Sequence, residues 1–260
     1  MSIRKAAVAG LFYEGDPAAL QQHISELMSG VSSKKAPIPE ALIVPHAGYI
    51  YSGPTAARAY HCLESRRDEV RRVVLFGPAH RVYLEGMALP SVDRFETPLG
   101  EVPLDREAIE RIVDMVDVSV SDQAHRDEHS LEVQLPFLQT VLKQFSLVPV
   151  VVGKCDAASV AAVMDALWGG RDTLVVVSTD LSHFLPYADA RQVDAKTCDR
   201  ILAKSDSLSG EEACGAYALN GLMRSQHARA LDVELLDACN SGDTAGSRDR
   251  VVGYGAFLLH

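Results

Sequence analysis

The chain has 260 residues, with 25 Lys and Arg against 35 Asp and Glu, for a formal charge of −10. Hydrophobic residues make up 47% and charged residues 23%, which excludes disorder and collagen-like repetition and supplies enough apolar material for one sizeable core. The acidic balance argues against a nucleic-acid binder, which needs a basic face, and no apolar run approaches the roughly 18 residues of a membrane helix.

The run AAVAGLFY follows Arg4 and Lys5 but is short and leads directly into Glu14 and Asp16. It reads as mature structure rather than a signal peptide. The cysteines are Cys62, Cys155, Cys198, Cys214 and Cys239. An odd count with no C-x-x-C pair predicts free thiols in a reducing, cytoplasmic compartment.

Asp16-Pro17 is an N-cap followed by proline at the first helical position, and Leu20, Ile24, Leu27 and Met28 repeat at helical spacing up to Gly30. The linker-like stretch 31–40 lies too near the start to divide two domains, so residues 1–260 read as one domain. Next come a buried strand at 41–45, a helix from Pro54 to about Leu63, a buried strand at 73–76 and a further strand at 87–92. Asp105 caps a helix carrying Ile109, Ile112, Val113 and Val116. Another helix is expected over 131–143, with Pro136 forcing a late start or a kink. A strand at 147–153, a helix capped by Asp156, and the strand TLVVVS (173–178) follow. Two more helices are expected at about 187–204 and 210–224, the second opened by the capping box Ser209-x-x-Glu212. LDVELLDAC (231–239) and RVVGYGAFLL (250–259) read as an antiparallel hairpin at one edge. Alternating helices and continuously apolar strands predict an α/β fold, a mostly parallel central sheet with helices on both faces.

Ligands in such sheets bind beyond the carboxyl ends of the strands. His46 follows the first buried strand, His80 the second, and Asp180 and His183 follow TLVVVS. Each histidine could merely satisfy its own strand end, but three delivered to one location suit a divalent transition metal. A metal-free site, with His183 as general base and Asp180 orienting it, uses the same residues. The run HRDEHSLEVQLPF (125–137) puts His125, Asp127, Glu128, His129 and Glu132 before a helix. This is either a solvated helix start or a rim with His129 or Glu128 supporting the site. Cys214, near an expected helix start, is a candidate thiolate. Tyr49 and Tyr51 in GYIYSGP (48–54) either line a pocket or cover the sheet end, and the turn they occupy could offer backbone N–H groups to an anion. No G-x-G-x-x-G or G-x-x-x-x-G-K-[ST] nucleotide signature occurs.

The stretches AVAGLFY (7–13), PHAGYIYSG (45–53), FGPAH (76–80), ETPLGEVPLD (96–105), EHSLEVQLPF (128–137), STDLSHF (178–184) and EEACG (211–215) run over most of the chain. In that order they resemble the Memo family, whose bacterial and archaeal members are called AmmeMemoRadiSam system protein B. The resemblance implies a fold similar to LigB-type class III extradiol dioxygenases. It implies a metal held by His46, His80 and Cys214, with His183 and Asp180 in the same pocket; the site is then read with His183 as the acid–base group, Asp180 positioning it and His129 in support. Fe(II) is the implied ion, with copper or zinc as alternatives. A cysteine where the dioxygenases use a glutamate would change the ion's electronics. The substrate, a small molecule or peptide, is not implied; a functional link to a radical SAM protein and an AMMECR-type protein is. The expected function is a non-haem redox enzyme; the alternatives are a non-catalytic metal- or peptide-binding module and a metal-dependent hydrolase.

Overall fold

A computed structural model describes residues 2–31 and 37–260; of the linker-like stretch 31–40, residues 32–36 lie outside the described residues. The strands are β1 (Ile3–Arg4), β2 (Ala41–Val44), β3 (Arg72–Pro78), β4 (Met87–Leu89), β5 (Arg94–Thr97), β6 (Gly100–Pro103), β7 (Val118–Val120), β8 (Ser146–Val152), β9 (Thr173–Ser178), β10 (His183–Leu185), β11 (Val233–Asn240) and β12 (Val251–Leu259). The α-helices are α1 (Pro17–Ser29), α2 (Tyr49–His61), α3 (Arg106–Ile112), α4 (Asp122–Arg126), α5 (Leu135–Val141), α6 (Ala157–Leu167), α7 (Tyr187–Leu202), α8 (Ala216–Arg224) and α9 (Gln226–Arg229).

One nine-stranded sheet runs β10-β12-β2-β9-β3-β8-β4-β7, with β11 paired to β12. Its centre, β2-β9-β3-β8, is parallel. These strands are buried along almost their whole length, as a sheet covered on both faces requires. Antiparallel pairs join β12 to β2, β11 and β10, and β4 to β8. The α/β class expected from the alternation is therefore present, and the predicted C-terminal hairpin is β11 with β12. β12 is not an outer strand, because it lies between β11 and β2. β1, β5 and β6 form a separate three-stranded sheet whose short strands carry no clear periodic signal.

Helix starts follow local hydrogen bonding. The Asp16 side chain accepts from Ala19 N at 2.9 Å and Pro17 occupies the first turn of α1, while Asp105 caps α3 by accepting from Ala108 N at 3.0 Å. α2 begins at Tyr49, five residues before the expected start at Pro54, which sits inside the helix. The stretch 48–54 is thus mostly helical rather than an open anion-binding turn. The helix expected over 131–143 splits into a 3₁₀ turn, Glu132–Gln134, and α5 with Pro136 in its first turn. The helix expected from 210 begins only at Ala216. Ser209 N does donate to Glu212 Oε2 at 2.8 Å. However, Cys214 N donates to Asp180 O and Gly215 N to Thr179 Oγ1, which ties this segment to the end of β9.

The N-terminal segment is fastened by a buried carboxylate. Glu132 accepts from Ala7 N at 2.8 Å, Val8 N at 3.0 Å, Tyr13 Oη at 2.5 Å and the Arg4 guanidinium. Both charged side chains are almost fully buried. Removing one partner of such a pair strands the other charge. Glu132→Gln is expected to lower unfolding free energy by roughly 3–5 kcal/mol, read as a lower urea midpoint; an unchanged midpoint would show that the N-terminal segment contributes little.

Candidate metal centre

β2, β9 and β3 are adjacent and parallel, so the residues after them meet at one end of the sheet. His46 lies two residues beyond β2, Asp180 two beyond β9 and His80 two beyond β3. A fourth segment joins them. At Gly77 in β3, an added Cβ would lie 2.7 Å from Ser130 Oγ and 2.8 Å from Leu131 Cδ2. Only glycine allows residues 130–131 to approach this closely. Ser130 Oγ donates to Pro78 O at 2.9 Å and Ser178 Oγ donates to Ser130 O at 2.6 Å. This anchoring brings in His129.

One donor atom each from His46, His80 and His129 lie within 4.8 Å of one another. The His80 and His129 rings stack with centroids 4.7 Å apart, and His46 sits 5.1 and 5.5 Å from them. Two tautomers follow from the partners. The single Ser178 hydroxyl hydrogen goes to Ser130 O, and Gln134 Nε2 donates to Ser178 Oγ at 2.8 Å. His46 Nδ1, 2.9 Å from that oxygen, must therefore be the donor, leaving Nε2 bare. His80 Nδ1 donates to Glu128 Oε1 at 2.9 Å, which likewise frees its Nε2. His129 Nδ1 is buried with no hydrogen-bond partner among the described residues.

Burial favours the neutral form of His46 and His129. Burial, reinforced by the neighbouring histidines, pushes His46 well below its ordinary value, and burial pushes His129 down to about 4. Burial alone would raise Glu128, but hydrogen bonds and attraction from His80, with backbone N–H groups, outweigh it and hold the carboxyl at about 2. It remains a carboxylate orienting His80. Three converging imidazole nitrogens, two of them with the remote nitrogen already fixed by a partner, fit a divalent transition metal.

The sequence-predicted residues fall into distinct places. His46 and His80 come together as expected, and His129, expected as a supporting group, stands among the converging imidazoles. Cys214 lies outside that group of three, with Sγ 3.3 Å from His46 Nε2. Cys214 precedes α8 rather than lying at its start as expected, and without a metal, burial, with Asp180 beside it, pushes the thiol up to about 12. Asp180 does not hold His183. Its Oδ1 accepts from His46 N at 2.8 Å, while His183 Nδ1 donates to Leu181 O at 2.8 Å and so keeps Nε2 free. Burial raises Asp180 to about 7 and lowers His183. His125 is turned away, its Nε2 donating to Ala88 O at 2.9 Å. Sequence reasoning missed Ser178, Gln134 and Phe12, whose ring lies 4.7 Å from that of His129. It also passed over Gly77, a glycine inside a strand and the one available signal of a close backbone approach. A cavity of about 750 Å³ opens onto the centre, lined by His80, His183, Leu185, Val193 and Cys214 among others.

The fold and site define an α/β protein with an imidazole cluster at the carboxyl ends of its central parallel strands. The sequence pattern of the Memo-like protein family matches residues 4–258, and the chain belongs to that family. It is 38% identical to a MEMO1 family protein from Methanothermobacter thermautotrophicus, covering 97% of this chain and 98% of that one. It is 35% identical to a MEMO1 family protein from Aquifex aeolicus, covering 98% of each. Among solved structures, an uncharacterized protein from Escherichia coli K12 shares the fold with a TM-score of 0.51 and 14% identity, over 85% of this chain and 100% of that one.

Two substitutions test how the cluster is built. Glu128→Gln should weaken metal binding about 10–100-fold, the usual worth of an outer partner, in a metal-competition titration. Gly77→Ala should destabilise the fold by about 1–3 kcal/mol and also weaken metal binding, because the segment carrying His129 must move. Equal metal affinity in wild type and both variants would show that neither contact matters to the centre.

Proposed function

We propose that the chain holds a divalent iron ion between His46, His80 and His129, with Cys214 beside His46 as a further candidate ligand, and that it acts as a dioxygenase-like redox enzyme on a small molecule. The observation that carries this reading is the convergence of three imidazoles, His46 and His80 with tautomers that leave Nε2 free, one of which, His80, lines a cavity of about 750 Å³. When bound, the ion would supply Lewis acidity and a redox couple.

The chain's own residues supply the rest. Asp180 fixes the backbone of His46. Glu128 fixes the ring and tautomer of His80. The Leu181 carbonyl fixes His183 with Nε2 as its basic nitrogen, placed in the cavity lining to take a proton from a substrate hydroxyl or amine. Leu185 and Val193 give the same cavity an apolar wall.

Anaerobic loading with Fe(II), followed by metal analysis and O₂-uptake measurements, tests this reading. Wild type should bind about one ion per chain, and His46→Ala, His80→Ala and His129→Ala should each lose more affinity than the roughly 10–100-fold of an outer partner. His183→Ala should keep the ion and lose about 10²–10⁴-fold in turnover. Cys214→Ser distinguishes a ligand from a neighbour: loss of the ion makes the sulfur a ligand, and retention makes it a wall of the site. Unchanged affinity in all three histidine variants would overturn the metal site. Metal binding without O₂ uptake by wild type would point to the metal-holding module, and a preference for zinc with hydrolytic turnover would point to the hydrolase.

A further inference from the structure

The His183 side chain has one hydrogen-bond partner among the described residues, the Leu181 carbonyl two positions before it. The direction of its ring is therefore set by the backbone of residues 181–185, and that backbone is irregular. Along β10 the pairing slips: His183 faces Val252, and Leu185 faces the preceding Val251, the two-against-one count of a β-bulge. Phe184, between them, has φ +62°, a left-handed conformation that suits glycine and is disfavoured for a bulky side chain. Phe184 is 59% exposed, so its own burial does not hold it there. Bulges re-aim the side chains beside them, and here His183 and Leu185 both line the cavity.

The restraint comes from two other elements. In β12, Gly253 O accepts from Leu181 N at 2.8 Å and Gly253 N donates to Ser182 O at 2.9 Å. From α7, Asp194 Oδ1 accepts from Ser182 N at 2.9 Å. The carboxyl reaches this position across Gly253, where an added Cβ would lie 2.0 Å from Asp194 Oδ2, so a larger residue there would expel it. Asp194 and Ser182 are both buried, and Asp194 Oδ2 has no hydrogen-bond partner among the described residues. A buried carboxyl with one oxygen unpartnered contributes poorly to stability; what it does provide is a grip on Ser182. Burial raises this carboxyl, and whether ionised or protonated on Oδ2 it still offers Oδ1 to Ser182 N.

We infer that Asp194 is a positioning residue for His183: by holding Ser182 N it keeps Phe184 in its left-handed conformation and so aims the His183 ring at the cavity. The inference rests on the reading of His183 as the proton-accepting group proposed above. Val193, the neighbour of Asp194 on α7, lines the same cavity, so one helix supplies both a wall and the grip.

The tautomer of His183 tests it, read by NMR in the metal-free full chain labelled with ¹⁵N-histidine and assigned with His183→Gln. Wild type should carry the proton on Nδ1 alone. Asp194→Ala should give a mixture of tautomers. Loaded with Fe(II), the same variant should take up as much ion as wild type and lose about 10²-fold in turnover, the effect of a misplaced group. Asp194→Asn, which keeps an oxygen for Ser182 N, should keep the wild-type tautomer. Adding Phe184→Gly to Asp194→Ala should restore it, because glycine adopts the left-handed conformation without being held; a carboxyl that only stabilised the fold would not be replaced in this way. An unchanged tautomer in Asp194→Ala, a mixture that Phe184→Gly leaves in place, or a loss of fold that Phe184→Gly does not reverse would each overturn the inference. Wild type without O₂ uptake would fail the redox reading, and the tautomers of the metal-free variants would still decide this one.

Discussion

Glu128 accepts four hydrogen bonds from three residues: His80 through its backbone N–H at 2.6 Å and its ring at 2.9 Å, and the backbone N–H groups of His129 and Ser130, each at 2.9 Å. Burying a carboxylate is costly unless donors replace the water it loses. Here the donors come from the loop after β3 and from the segment that crosses beneath it, so solvating the charge and joining the two segments are one event. The same contact sets which nitrogen of His80 is bare. The imidazole cluster therefore depends on a charge that is not one of the three converging groups.

Four residues on, Glu132 does related work in the opposite direction. It gathers the N-terminal strand, the turn over residues 7–13 and Tyr13, and that turn places Phe12 against His129. Two carboxylates on one short segment thus bind the site from two sides. Ser178 and Gln134 complete the frame by fixing His46. In each case a polar group is buried with its hydrogen bonds satisfied, the condition under which such networks stiffen a structure.

The parallel core was legible because continuous apolar runs such as TLVVVS have one stable place, a strand covered on both faces, and the rule for ligands at strand ends then located His46 and His80. What stayed hidden depended on contacts between segments distant in sequence. Ionisable residues at 125–132 look the same whether they face water or fill a centre, so nothing in that run alone separates His129 from His125; the close approach at Gly77 decides it. Pro54 signals a helix start locally, yet α2 tolerates it inside the helix. The Ser209 capping box forms half of its hydrogen bonding and still opens no helix, because residues 214 and 215 spend their N–H groups on the end of β9. Cys214 illustrates the same point: the sequence puts it near a helix start, while the fold buries it beside Asp180, before α8, and that burial raises its thiol.

The place of β12 between β11 and β2 has a bearing on how the protein comes into being. Residues 251–259 are synthesised after every strand they join. At about 5–20 residues per second, the strand that delivers His46 waits roughly 10–40 s on the ribosome for the partner on that edge. During that interval the apolar run Ala41–Val44 has an open row of backbone groups, the situation in which strands pair wrongly. The edge of β2, whose following loop carries His46, is thus closed only once residues 251–259 have been made and have paired with it.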